Sequence, residues 1–130
     1  MTPGVIVDTS VWVDFFRGRE TTETAEVERL IRSDRAVVCG IVLAELTAGI
    51  KDAREQGLLR DAFAGLDYAE TAAATWVRAG ELAAGLRRRG RTLPLSDLVV
   101  AALALERGCT VFTTDAHFRD ITGLKLHHPD

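Results

Sequence analysis

At 130 residues, 47% apolar and 27% charged, the chain is the size of one folding unit and too apolar for wholesale disorder. It is long enough to build a core without disulfide or metal staples. Its net charge of −3 argues, at first sight, against a phosphate-rich partner.

The longest apolar run, residues 98–105, is far too short to span a bilayer. The opening Met-Thr-Pro-Gly lacks the basic and apolar regions of a signal peptide. A single cytoplasmic domain over residues 1–130, with no membrane association, is the expectation. The two cysteines, Cys39 and Cys109, sit in apolar runs that read as buried strands, so both are expected as buried free thiols.

In chain order, residues 4–8 form a short apolar run ending in a carboxylate and read as a first strand. A short helix or turn over 12–16 follows, closed by Arg17-Gly18. Residues 22–33 are amphipathic, with Val27, Leu30 and Ile31 on one face and acids early, where the helix dipole favours them. Residues 36–39 are the second strand, with helices expected over 41–50 and 52–66. A short third strand is read at 66–68, then a long helix over 71–89. The helix at 95–107 is apolar nearly all round and therefore buried, with Ser96 as candidate N-cap and Gly108 as its end. Residues 109–114 are the fourth strand, again ending in a carboxylate, and 124–127 read as a last, edge strand. Apolar strands alternating with helices predict an α/β fold, three layers with a central parallel sheet of about five strands.

Sites in such sheets form beyond the carboxyl ends of the strands. Asp8 ends strand one, Asp115 ends strand four, and Asp97 opens the buried helix. Glu45 lies in the helix after strand two, a lone charge in an apolar stretch. Four carboxylates gathered at one sheet edge repel one another, at ~4 Å by on the order of 1–4 kcal/mol per pair. Such a cluster persists when cations occupy it or when some members stay protonated. Oxygen ligands without paired His or Cys favour Mg²⁺ or Mn²⁺ over zinc. The reaction class this suggests is metal-assisted phosphodiester hydrolysis. Setting the four acids aside leaves 15 acids against 16 bases, so the overall sign of the charge decides little. Each acid also has a plainer reading: Asp97 as a helix-start residue, Asp8 or Asp115 as a turn cap, Glu45 as one half of an ion pair.

The motifs Val7-Asp8-Thr9-Ser10-Val11-Trp12, Leu43-Ala44-Glu45-Leu46, Leu95-Ser96-Asp97 and Thr113-Thr114-Asp115-Ala116-His117-Phe118, in this order, resemble those of PIN-domain nucleases, and among them the VapC-type toxins. The resemblance runs over nearly the whole chain. It implies a five-stranded parallel sheet and Mg²⁺- or Mn²⁺-dependent cleavage of structured RNA, tRNA or ribosomal RNA. It implies Asp8 and Asp97 as principal metal ligands, Asp115 as a third, direct or through water, and Glu45 as the acid that holds or activates a metal-bound water. Thr9 or Ser10 would orient a carboxylate, or simply cap a turn. A cognate antitoxin and a homodimer are further implications. The patch of Trp12, Val13, Phe15 and Phe16 is read first as core and second as either contact.

A basic rim for RNA is expected from Arg87, Arg88, Arg89 and Arg91 ahead of Asp97, and from Arg17 and Arg19 after Asp8. The plainer reading is a set of solvated helix ends. His117, His127 and His128 are too scattered for a metal set and receive no role. Two other classes compete. An aspartate-dependent phosphatase would want a second Asp where Ser10 stands, and a receiver domain would want paired acids near strand one. A non-catalytic RNA- or protein-binding module on the same fold has no reason to keep all four acids.

Overall fold

The structure, a computed structural model, describes residues 3–129. Strand β1 (Val5–Val7) leads through Asp8 into α1 (Thr9–Phe16), and α2 (Thr22–Arg32) returns the chain to β2 (Ala36–Cys39). Helices α3 (Gly40–Ala48) and α4 (Ala53–Phe63) precede β3 (Asp67–Ala69). Helices α5 (Ala73–Arg88) and α6 (Leu95–Arg107) then lead to β4 (Thr110–Phe112) and a 3₁₀ turn (Ala116–Asp120).

All strand pairs are parallel, in the order β3-β2-β1-β4. The sheet grows outward from β1 through β2 to β3, and then the chain crosses back to lay β4 on the other side of β1. This reversal opens a crevice at the carboxyl ends of β1 and β4, where α/β sheets place their ligands. Every residue of β1 and β2 is buried. Successive strand side chains point to opposite faces, so burial of all of them means that helices cover both. On β3 only Ala69 is buried, as befits an edge.

The fold is the α/β parallel sheet expected, with one correction. The strand read at residues 124–127 shrinks to one parallel bridge between Val111 and Leu126. Val111 N–H donates to the Lys125 carbonyl (3.0 Å) and His127 N–H to the Val111 carbonyl (2.8 Å). β4 is itself only three residues long, and Pro129, lacking an N–H, cannot extend the pairing. Among the described residues the sheet therefore has four strands and a one-residue fifth.

One helix start and one helix cap also differ from expectation. α1 begins at Thr9, because the extended backbone of Asp8 (φ −70°, ψ 155°) releases directly into it. Ser96 does not cap α6. Pro94 (φ −56°, ψ 139°) does, its carbonyl accepting from the N–H groups of Asp97 and Leu98 at 3.1 and 3.4 Å. Gly108 ends α6 as read, at a φ of 67° that L side chains rarely adopt. Residues 98–104 of that helix are all buried, against α5, α3 and β4. Trp12 is also buried, stacked on Phe16 (5.6 Å, 17°) and tilted on Phe63 (4.8 Å), while Phe16 itself is half-exposed. Cys39 is buried as expected, and Cys109, just ahead of β4, only partly so. Among the described residues no helix is long and apolar enough to cross a membrane.

A charged clasp holds the last segment in place. Glu26 of α2 is 5% exposed and accepts from Arg29 Nε and Nη2, both at 2.6 Å. Its Oε2 also lies 2.5 Å from His127 Nε2. The Arg29 bonds, helped by His127 and opposed by burial, hold the Glu26 carboxyl down at about 2. A depressed carboxyl stabilises the fold above its unfolded value of 4.5, and that contribution fades as pH falls toward 2. Acidification through this window should cost about 2–3 kcal/mol. Urea midpoints at pH 5 and pH 2.5 test this. Glu26→Gln should start less stable and lose correspondingly less on acidification, and an equal loss in both proteins would refute the assignment.

Candidate active site

Asp8 follows β1 directly and is 6% exposed. Its N–H donates to the Phe112 carbonyl (2.9 Å), which fixes it against the end of β4. One carboxylate oxygen, Oδ2, accepts from two hydroxyls, Ser10 Oγ and Thr113 Oγ1, each at 2.9 Å. Burial raises the Asp8 carboxyl above the usual range. The hydroxyl bonds pull the other way, and the charge of Glu45 adds to the rise.

Asp97 lies in the first turn of α6, half-buried at the same sheet edge. Its carboxyl is pushed up to about 6, first by burial and then by the charges of Asp8, Asp115 and Glu45. Four acids from four separate stretches of chain thus act on one another across one crevice. Among the described residues, however, no three Asp, Glu, His or Cys side chains are arranged as a ready ion cage. The quartet shares one field rather than one coordination sphere.

Glu45 differs from expectation in its surroundings. The apolar stretch around it predicted a buried charge, yet it faces outward and is exposed at the mouth, where Oε1 accepts from Thr9 Oγ1 at 2.9 Å. Helix α3 buries Val42 and Leu46 and turns Glu45 away from both. The two hydroxyls read as supports are both engaged with acids, Ser10 with Asp8 and Thr9 with Glu45.

Asp115 performs the plainer role too. Its Oδ1 accepts from the His117 N–H (2.9 Å) and so caps the 3₁₀ turn. The His117 ring, given no role from the sequence, stands with Nδ1 3.1 Å from the same oxygen. Cys39, beneath the site, is inert: burial first, with the nearby charges of Asp8 and Glu45, raises its thiol to about 11.

Thr113 was missed. Its hydroxyl donates to Asp8 and accepts from the Asp115 N–H (3.0 Å), joining two of the acids through one atom. The Thr114 hydroxyl reaches Ser10 Oγ at 3.3 Å. The signal available was a pair of threonines ahead of an acid at a strand end, but threonine is ordinary in strands.

The expected basic rim divides. Arg91 Nη1 is paired with Asp120 Oδ2 at 2.8 Å, and Arg89 Nη2 reaches the Asp120 carbonyl at 3.5 Å. These two tie the loop after α5 to the 3₁₀ turn. Arg19 pairs with Asp14 at 3.3 Å. Arg17, Arg87 and Arg88 lie exposed at helix ends.

A sheet reversing at β1, with acids at that reversal, defines an α/β chain carrying an acidic crevice at the carboxyl edge of its sheet. The PIN domain matches residues 5–124, and the chain belongs to the PIN domain family, in its VapC branch. A VapC ribonuclease of Mycobacterium bovis is 31% identical over 121 residues, covering 88% of each chain. Among solved structures, the VapBC2 complex of Rickettsia felis on promoter DNA has a TM-score of 0.80 at 24% identity. It covers 97% of this chain and 98% of its own. The DNA-bound VapBC of Salmonella typhimurium has a TM-score of 0.82 at 21% identity, with the same coverage.

Proposed function

We propose that this chain is an endoribonuclease that depends on Mg²⁺ or Mn²⁺ and acts as the toxin of a toxin–antitoxin pair. The single observation that carries the reading is the half-buried Asp97 carboxyl at the sheet reversal, on which the charges of Asp8, Asp115 and Glu45 all act. A hard-oxygen donor set around a half-buried carboxyl that is held far above its usual range suits a small divalent cation. Family membership and the ribonuclease relatives support the activity.

Asp8 and Asp97 would hold the cation, with Asp115 as a third ligand, directly or through water. When bound, the cation would supply Lewis-acid polarisation of the phosphodiester and neutralise its developing charge. The residues of the chain do the rest. Ser10 and Thr113 fix the Asp8 carboxylate by two donated bonds, which prevents it from turning away from the crevice. Glu45, exposed and steadied by Thr9, is positioned to take a proton from an attacking water at the mouth.

The substrate we propose is structured RNA, tRNA or ribosomal RNA, with Arg17, Arg87 and Arg88 as phosphate contacts. The protein would act in the cytoplasm as a homodimer of one-domain chains. A cognate antitoxin would restrain it by presenting a basic residue to the acids. Complexes of the VapBC kind among its structural relatives support such a partner.

Purified, antitoxin-free protein incubated with total tRNA and Mg²⁺ or Mn²⁺ should yield discrete fragments that disappear with EDTA. Ribosomal RNA is the second substrate to test. Absence of cleavage of both by folded, cation-binding protein would overturn the reading in favour of a binding module.

A further inference from the structure

Beside Asp115 lies a cleft of about 270 Å³ that none of the roles above uses. Its near wall is the strand-end segment of Thr114 and Asp115, shared with the crevice. Its apolar side is made by Leu126 and Pro129, and its polar groups are Arg119, His128 and Glu23. The C-terminal wall is held rigid. His127, next to these residues, is fixed by Glu26 and packs edge-on against Phe112 (centroids 5.4 Å apart, 79°).

We propose that this cleft is a nucleotide subsite. Resting on the nuclease reading, it would take the nucleotide adjoining the one whose phosphodiester lies over the acids. Three features select this occupant. The cleft borders the acidic crevice, sharing Thr113, Thr114 and Asp115 with it, so a strand lying over the acids has the cleft beside it. Its volume, just below the ~300 Å³ at which pockets for drug-sized ligands begin, suits one nucleotide. Its chemistry is mixed in the manner of a nucleotide. Arg119 and the His128 ring offer donors to a phosphate. Leu126 and Pro129 offer an apolar surface to a base, and the Glu23 carboxylate accepts from a base amino group. Glu23 therefore sets a preference for cytosine, guanine or adenine over uracil, which has no amino group.

The test has two arms. In the first, ¹⁵N-labelled unmodified protein is titrated with the four ribonucleoside 3′-monophosphates, and with inorganic phosphate as control. The amides of Thr114, Arg119 and His128 should shift with the nucleotides, least with UMP. Shifts that are scattered, absent, or equally large with phosphate alone overturn the subsite. In the second arm, cleavage kinetics of Arg119→Ala/His128→Ala are compared with the parent. KM should rise about tenfold with kcat within about twofold, the pattern of lost substrate binding rather than lost chemistry. An unchanged KM in the variant with active parent protein overturns the subsite and leaves the nuclease standing. Nucleotide shifts at the cleft without any cleavage by the parent leave the subsite standing and overturn the nuclease. An unchanged KM joined to weaker inhibition by antitoxin makes the cleft a protein-docking surface and also overturns the proposal. Arg119 and His128 are both exposed, so the variant should fold.

Discussion

Asp97→Asn should abolish RNA cleavage, by a factor of at least about 10³, while leaving the fold intact and the cation-free protein more stable at neutral pH. The two halves of this expectation share one cause. Asp97 feels the charges of all three other acids and is held at about 6 by burial first and then by them. With its pKa raised above 3.8, the unfolded chain gives up the proton first as pH rises, so the cation-free fold loses stability between about pH 4 and pH 6. The full shift corresponds to about 3 kcal/mol, and solvent screening at this half-exposed group trims it to about 1 kcal/mol. Asparagine keeps the shape and discards the charge, and with it a strong oxygen ligand. Thermal melts in EDTA should therefore place the variant above the parent at pH 7 and level with it at pH 4. A melting difference that ignores pH would show that repulsion is not the cause. Full cleavage by the variant would remove Asp97 from the chemistry.

Thr113→Val should lower cleavage 10- to 100-fold, the range found when a group that orients a ligand is lost. Valine fills the same volume but removes a hydroxyl that makes two bonds. Asp8, already raised by burial, keeps only Ser10 as a side-chain donor to Oδ2, and the Asp115 N–H loses its acceptor. A half-buried donor without a partner costs about 1–3 kcal/mol. The role is one of positioning, so a cation titration separates it from simple destabilisation. Half-maximal activity should require more Mg²⁺ in Thr113→Val, and Thr113→Ser should restore it. A parent-like Mg²⁺ dependence with reduced stability alone would make Thr113 purely structural.

The acids were legible because each is out of character with its neighbours. Asp8 ends a run of three buried apolar residues, and Asp97 heads a helix in which seven consecutive residues are buried. Thr113 carries no such contrast. Glu45 was seen, but its exposure was not. Helix α3 is apolar over most of its circumference, so its sequence has no polar stripe to show which face looks outward. The Ser96 cap failed because Pro94, two residues earlier, already holds the extended conformation of an N-cap, and α6 starts at Leu95 as read. The engagement of Arg91 was hidden for another reason: it and Asp120 are 29 residues apart, and no local pattern announces their pairing.

Element type, order and much of the core follow from interactions within a few residues: apolar periodicity, the acid in the first turn of α2, and the left-handed turn at Gly108. Those terms act wherever the segment sits, and so they can be read from the chain alone. The bonds that shape the crevice and its neighbouring cleft are of another kind. Thr113 meets Asp8 across 105 residues and His127 meets Glu26 across 101, and both contacts exist only because β4 is laid beside β1. That placement minimises the free energy of the whole sheet and its covering helices, a quantity to which no single stretch of sequence holds the key.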